Sequence, residues 1–565
     1  MKKMKKIFSF LVVVGIIIFS MIVCYNQLTP PKVKTINGQI MDDNLNTAIK
    51  NLQVIAKEPH FVGTSQDAKV REFLVSYLKN LGAQVEVEKG TGVGHNKKTY
   101  EIYNVIAKFE GTDKDGLNIL LDAHYDSGGL LCKDPNAIPE SPGAADDGAG
   151  VVAMLEAGKY IKEKGPLRNN VYMVFTDGEE AGLLGAQLLA DKKRDFLKNI
   201  DFLFAFEARG NSGPFTLIET SDNNLGMVKE FVKATSYPLS YSFAQDIYKK
   251  SPSASDNTIY KKNNVPGMLC ASFGGTENYH SKRDNVENID KGMLKHFILT
   301  SLEVTKHFGN MTRNDFEKID KKSDSINFPF IKGNMIVYST KFVVPLASIA
   351  IILLIVIYGL SLKKNIVNVK NMFKGFVFNI IAIAIPVLVT IPIVNYIIKL
   401  KKLFAGGFTV FYFVGADYYG IPLLIVMSII ACIIIMYFLS NKINKIDMIF
   451  SSLIIWGILG IATSVLLKGL SYYFIIPLIL YILAIVYIIL RGEKRISLLE
   501  TLVLYCIVVF ISLLIVIPVI YTIYKAMTFG ALAVDVALIV LYLICFVPST
   551  LYVLENSHIG KYIEV

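Results

Sequence analysis

Long apolar stretches crowd the second half of this chain, near residues 342–362, 376–398, 420–440, 448–467, 472–490, 500–524 and 530–550. Each is long enough to cross a hydrocarbon core as a helix, which takes about 20 residues. Backbone polar groups find no partners in lipid, so such segments are confined to helices that satisfy their own hydrogen bonds. A chain of this kind does not fold as one water-soluble globule. The 53% hydrophobic content of its 565 residues is therefore an average over two unlike parts. From about Gln27 to Lys332, charged, polar and apolar residues mix as in an ordinary globular domain, and the bilayer part follows.

The amino terminus supplies an eighth span. Met-Lys-Lys-Met-Lys-Lys precedes an apolar run from Ile7 to Cys24. A cleaved signal peptide needs small residues before its cleavage site, whereas Phe19 to Cys24 offers bulky ones, and Val23 stands where a lipoprotein signal has a small residue. The run reads as a retained anchor whose lysines stay inside, with the next domain outside the cytoplasm. Lys363, Lys364, Lys370 and Lys374, then Lys442 and Lys445, then Arg491, Lys494 and Arg495 all fall in loops on the inner side under that orientation. Lys399, Lys401 and Lys402 oppose it, and the aromatic loop from Phe404 to Tyr419 reads as interfacial or re-entrant. The expected organisation is a transmembrane anchor over 1–26, an extracytoplasmic domain over 27–332 and about seven helices over 333–565, in the cell membrane.

Several function classes recede on composition. The net charge of +11 comes without an Arg-rich face or interleaved basic and aromatic residues, so no nucleic-acid partner is expected. Asp535 is the one acid that stands out inside the spans, with Glu500 at a helix end, whereas an ion-coupled transporter places more charge at membrane depth. The spans read as an anchor or assembly platform. The cysteines form no CxxC pair, and only Cys132 and Cys270 lie in the globular part.

That globular part alternates apolar runs with helical spacing, which predicts an α/β fold with a mixed, mostly parallel sheet and helices on both faces. Strands are expected over Leu117 to Ala123, Val171 to Thr176, Phe202 to Phe206 and Val265 to Ser272, with helices over Val151 to Lys164 and Ala181 to Lys193. Such sheets hold ligands at the carboxyl ends of their strands. At those ends stand His124-Tyr125-Asp126, then Ser141 to Gly150 with Asp146 and Asp147, then Asp177-Gly178-Glu179-Glu180, then Glu207-Ala208-Arg209, and finally Glu277 to Asn285 with Tyr279 and His280. Singly, each has a bland reading: Asp before a helix is an N-cap and paired Glu suits a helix start. An acid directly after the apolar run Phe202 to Phe206 is harder to dismiss, because burying it requires a partner. Jointly, two His and several carboxylates delivered to one edge have the composition of a two-metal hydrolytic site. The remaining histidines, His60, His95, His296, His307 and His558, read as structural or solvated.

The segments HYDS, SPGAADDGAG, DGEEAGLLGA, FEARG and YHSKRDN, in this order over roughly residues 45 to 310, resemble the di-zinc aminopeptidase family of zinc exopeptidases. With an anchor and a multi-span tail, the chain is most similar to the endoplasmic-reticulum-type membrane metallopeptidases of that group. The resemblance implies two Zn2+ per chain: Asp146 bridging, His124 and Glu207 completing one site, Glu180 and His280 the other. It implies Glu179 as general base, Asp126 as the partner orienting His124, and Tyr279 beside the last ligand as a stabiliser of the oxyanion. Glu207 stands where some relatives carry Asp, one methylene longer with the same chemistry. The implied activity is exopeptidase cleavage of a peptide substrate, most simply from the amino terminus. A single-zinc glutaminyl cyclase, a carboxypeptidase and a non-catalytic receptor or assembly subunit are the alternatives, and a lipid bilayer is the other expected partner.

Overall fold

The computed structural model describes residues 2–128, 140–250, 254–404, 416–491, 496–527 and 531–556. Its contacts divide the chain into an α/β unit, Leu28–Pro329 with Gly333–Tyr338, and a helical unit, Met1–Gln27, Phe330–Lys332 and Ser339–Val565.

The α/β unit is built on seven strands, β1 (Gln84–Val93), β2 (Thr99–Phe109), β3 (Asn118–His124), β4 (Asn170–Thr176), β5 (Phe202–Ala208), β6 (Thr216–Thr220) and β7 (Gly267–Ser272), in the order β1-β2-β4-β3-β5-β7-β6. The central four, β4, β3, β5 and β7, run parallel, while β1, β2 and β6 join antiparallel at the edges. Parallel strands are covered on both faces, so their sequences are apolar throughout. Successive side chains take opposite faces. Ile119 and Leu121 enter a core packed by the helices Gly148–Lys164 and Lys291–Asn310, and Leu120 enters a second core with Ala186, Leu189 and Tyr260 on the other side. Phe204, Phe206, Phe215 and Phe297 stack through the first core, with Phe215 and Phe297 centroids 3.8 Å apart.

The sheet is mixed, as expected, with parallel pairing at its centre and antiparallel strands at its edges. One expectation needs correction. The helix foreseen over Ala181 to Lys193 is two, Glu179–Gly182 and Leu184–Lys192, broken at Leu183, whose φ is 60°. Cys132 and the loop over 405–415 lie outside the described residues.

Glu156 sits buried in the helix Gly148–Lys164, 3.3 Å from Lys159. Burial pushes its carboxyl up to about 7, only partly offset by Lys159. A raised carboxyl favours the fold while protonated, so its cost is absent below the unfolded value of 4.5 and accumulates as pH climbs to about 7. Glu156→Gln is expected to raise the thermal midpoint at pH 8, by an amount worth up to roughly 3 kcal/mol. The gap to wild type should close below about pH 4.5. Melting curves across pH check both statements.

Among the described residues of the helical unit, eight helices are long and apolar enough to cross a membrane. They are α1 (Lys2–Leu28), α2 (Val343–Lys363), α3 (Val369–Phe404), α4 (Ala416–Ser440), α5 (Lys445–Leu466), α6 (Ser471–Arg491), α7 (Leu498–Met527) and α8 (Leu532–Asn556). The first, far away in sequence, joins the rest: Phe19 stacks on Phe510, and Cys24 donates to the Leu513 carbonyl at 3.6 Å. The most buried span is α8, held by bonds to its carbonyls from Trp456 Nε1 (Leu541, 2.7 Å), Tyr473 (Leu538, 2.9 Å) and Ser452 (Ile544, 2.6 Å). Such bonds serve as glue where lipid offers no alternative partner. Asp535 is wholly buried in the first turn of α8, its carboxylate without a hydrogen-bond partner among the described residues.

Candidate metal centre

The ends of the parallel strands deliver the site. His124 closes β3, and its Nε2 lies 3.2 Å from Asp146 Oδ1. Asp146 precedes the helix Gly148–Lys164, which Asp147 caps by accepting from the Gly150 N–H. The peptide between these two acids is cis. After β4 the chain turns at Gly178, φ 70°, a left-handed conformation glycine adopts without penalty, and presents Glu179 and Glu180. Glu207 is the last but one residue of β5. His280, itself at φ 53°, points Nε2 to Asp146 Oδ2 (3.1 Å) and Glu180 Oε1 (2.8 Å). Two groups of potential ligand atoms result, His124, Asp146 and Glu207, and Asp146, Glu180 and His280, each converging within 4.8 Å. Asp146 belongs to both, one oxygen toward each imidazole.

This donor set fits a pair of divalent cations. Imidazole nitrogen with carboxylate oxygen suits zinc and its neighbours. Asp146 Oδ2 and His280 Nε2 are buried and, despite their proximity, make no bond of acceptable hydrogen-bond geometry. Electrostatics agrees, because the acids outnumber the bases. Burial pushes the Glu179 and Glu207 carboxyls well above the usual range, and their acidic neighbours add to it. Burial opposes a charge on His280, yet Glu180 and Asp146 overcome it and hold its imidazolium up to about 10. The same carboxylates raise His124 against its burial. Burial likewise disfavours the Asp146 carboxylate, and the two imidazoles beside it more than compensate, holding it low. The carboxylates outnumber the two imidazoles, a deficit of positive charge that divalent cations would make up.

The surrounding shell differs in detail from the anticipated one. His124 Nδ1 meets the Asp126 carbonyl at 2.9 Å, with the Asp126 carboxylate farther off at 3.5 Å. That carboxylate instead accepts the N–H groups of Glu179 (3.0 Å) and Glu180 (3.3 Å), so it positions the whole acidic turn. A side chain at Gly128 would overlap the Glu180 carboxylate, which explains glycine there. Tyr279 stacks on the His280 ring, centroids 3.7 Å apart. His296 and His307 are structural as read: the first accepts from the Phe215 N–H and meets the Tyr237 carbonyl, and the second pairs with Glu230.

Asp284 was missed. Fully buried, it accepts the Ala145 N–H at 2.8 Å and the Asp146 N–H at 3.2 Å, fixing the loop that carries the shared ligand. Its signal was present in YHSKRDN, four residues after His280, but an acid that binds backbone amides looks like any other in sequence. Asp284→Asn turns one acceptor into a donor facing those amides. It is expected to weaken divalent-metal affinity about 10- to 100-fold, as losses of outer-shell partners do, measurable by chelator competition.

Residues 104–305 match the family model described as Peptidase family M28. The chain is similar to vacuolar membrane proteases of Candida dubliniensis, 27% identical over 295 residues that cover 50% of this chain and 30% of that protein, and of Schizosaccharomyces pombe, 26% identical over 298 residues, 50% and 34%. It thus spans about a third of the length of these curated relatives. Among solved structures it is similar to a Zn-dependent exopeptidase from Parabacteroides distasonis (23% identity, TM-score 0.38, 46% of this chain and 98% of that one). It is also similar to the glutaminyl cyclase of Porphyromonas gingivalis (21%, TM-score 0.37, 46% and 96%).

Proposed function

We propose that the chain is a membrane-anchored, two-zinc aminopeptidase whose peptidase part, roughly residues 27–332, works outside the cytoplasm, anchored in a plasma membrane by the helices on either side of it. The observation that carries the reading is the position of Asp146, with Oδ1 3.2 Å from His124 and Oδ2 3.1 Å from His280. One carboxylate shared by two three-residue groups suits a pair of ions.

His124, Asp146 and Glu207 would hold one Zn2+ and Asp146, Glu180 and His280 the other. Ions held there would supply Lewis-acid chemistry, acidifying a bound water and polarising the scissile carbonyl of a peptide. The chain's own residues do the rest. Glu179, outside both ligand groups, takes the water's proton and passes it to the departing amine. Asp126 holds the amides of Glu179 and Glu180, so the base and its neighbouring ligand move as one. Tyr279, placed against His280, is the donor available to the developing oxyanion.

The test is zinc content and residue release by the purified full-length chain on a peptide panel that includes amino-terminal Gln. Two zincs per chain with amino-terminal release is the expected result. One zinc with cyclisation of the Gln peptide would make it a cyclase, carboxyl-terminal release would reverse the end preference, and no zinc would sink the enzymatic reading.

A further inference from the structure

One end of the helical unit combines an apolar groove with surplus positive charge. The groove lies between α5, α6, α7 and α8, with about 80 Å³ of free space along its hydrocarbon walls. Ile449, Phe450, Ile485, Ile488, Leu504 and Val508 form its walls. The lining hydroxyls are engaged inside the bundle, Tyr481 with Ser549 at 3.4 Å and Tyr505 with Thr550 at 2.7 Å, so the interior presents hydrocarbon. Ile366, Ile446, Ile489 and Thr501 bring its mouth to the helix ends where α2 passes to α3, α4 to α5 and α6 to α7.

That rim is basic. Of its acids among the described residues, Glu500 is taken by Arg491 (2.9 Å), Tyr487 and Ser497, Glu555 by Lys445 (3.1 Å), and Asp447 by the Asn368 N–H and Asn371. Lys363, Lys364, Lys370, Lys374 and Lys442 have no carboxylate within 4.0 Å among the described residues. Lys364 is the one the structure places at the groove: its Nζ donates to the carbonyl of Ile489, a lining residue, at 3.2 Å. An ammonium beside a hydrocarbon-lined groove complements an amphiphile with an anionic head. In a helix bundle of this length and hydropathy, that ligand is at hand in the bilayer.

We propose that this groove binds one anionic phospholipid, an acyl chain lying between α5, α6, α7 and α8 and the phosphate resting on Lys364. Basic pockets between membrane helices recognise acidic headgroups in this way. The walls select for a chain, and the lysine selects the head.

The test uses the full-length chain in detergent, with phosphatidylglycerol and phosphatidylcholine of identical acyl chains added in turn and bound lipid counted by native mass spectrometry. Phosphatidylglycerol is expected to bind at one per chain and phosphatidylcholine much more weakly. Lys364→Gln, at an exposed position, should lower phosphatidylglycerol affinity about fivefold, as loss of one lysine contact does. Ala484→Phe fills the groove and should abolish binding, and thermal melting of that variant without lipid establishes that it folds. Equal binding of the two lipids, or unchanged binding in both variants, overturns the proposal. So does a chain that carries no lipid and instead pairs with a second copy.

Discussion

Glu179→Gln is expected to lower kcat by about 10²–10⁴, the range general acid–base catalysis contributes, while bound metal and KM stay near wild type. The expectation follows from where Glu179 is and what it is not. It stands next to Glu180 in one turn, its N–H held by Asp126, but it belongs to neither group of convergent ligand atoms. Removing its charge therefore leaves both donor sets intact. Burial, aided by Glu207, Asp256 and Glu180, pushes its carboxyl well above the usual carboxylate range even though His124 draws it down, which is the direction a base working near neutrality requires. Steady-state kinetics beside metal analysis on one preparation decides the matter. If the variant loses metal along with activity, Glu179 is a ligand and the base lies elsewhere.

The sheet and the site were readable in the sequence to different depths, for physical reasons. β3, β4, β5 and β7 stand out as apolar runs because parallel strands between two helical layers have no solvent face. β1 is half exposed along an edge, and β6 has five residues, so neither carries a run long enough to separate from its loops. The five potential ligands are legible because each is a polar group at the end of a buried strand or in a loop beside one, where burial without a partner is costly. The supporting contacts are not. Asp126 and Asp284 act through backbone amides of residues 53 and 138 positions away or more, and only the folded loops bring those amides to them. The break at Leu183 is similarly tertiary. A leucine in the left-handed region is disfavoured in itself, and its neighbours Leu184 and Ala181 are anchored in one small core with Phe61 and Val62. On the bilayer side hydropathy locates the eight candidate spans of the described residues, because no other structure is open to such a segment, yet it is blind to the groove, which depends on how four helices diverge.

Asp146→Asn should empty both metal positions, whereas His280→Gln should empty one. The contrast is the sharper test of a shared carboxylate than either variant alone. Asp146 is buried, and its two oxygens face different imidazoles, so its charge is common to both donor groups. An amide keeps the volume but offers one neutral oxygen and an NH2 that repels a cation, degrading both positions together. His280 serves the group with Glu180 only, leaving His124, Asp146 and Glu207 complete. Lewis-acid stabilisation is worth several kcal/mol, so losing it in Asp146→Asn should cost about a thousandfold or more in kcat/KM at ~1.4 kcal/mol per decade. Metal content by mass spectrometry, expected to fall from two to none in Asp146→Asn and from two to one in His280→Gln, separates the outcomes. Equal losses in the two variants would mean a single ion held by all five residues, and the carboxylate between the imidazoles would then be a ligand but not a bridge.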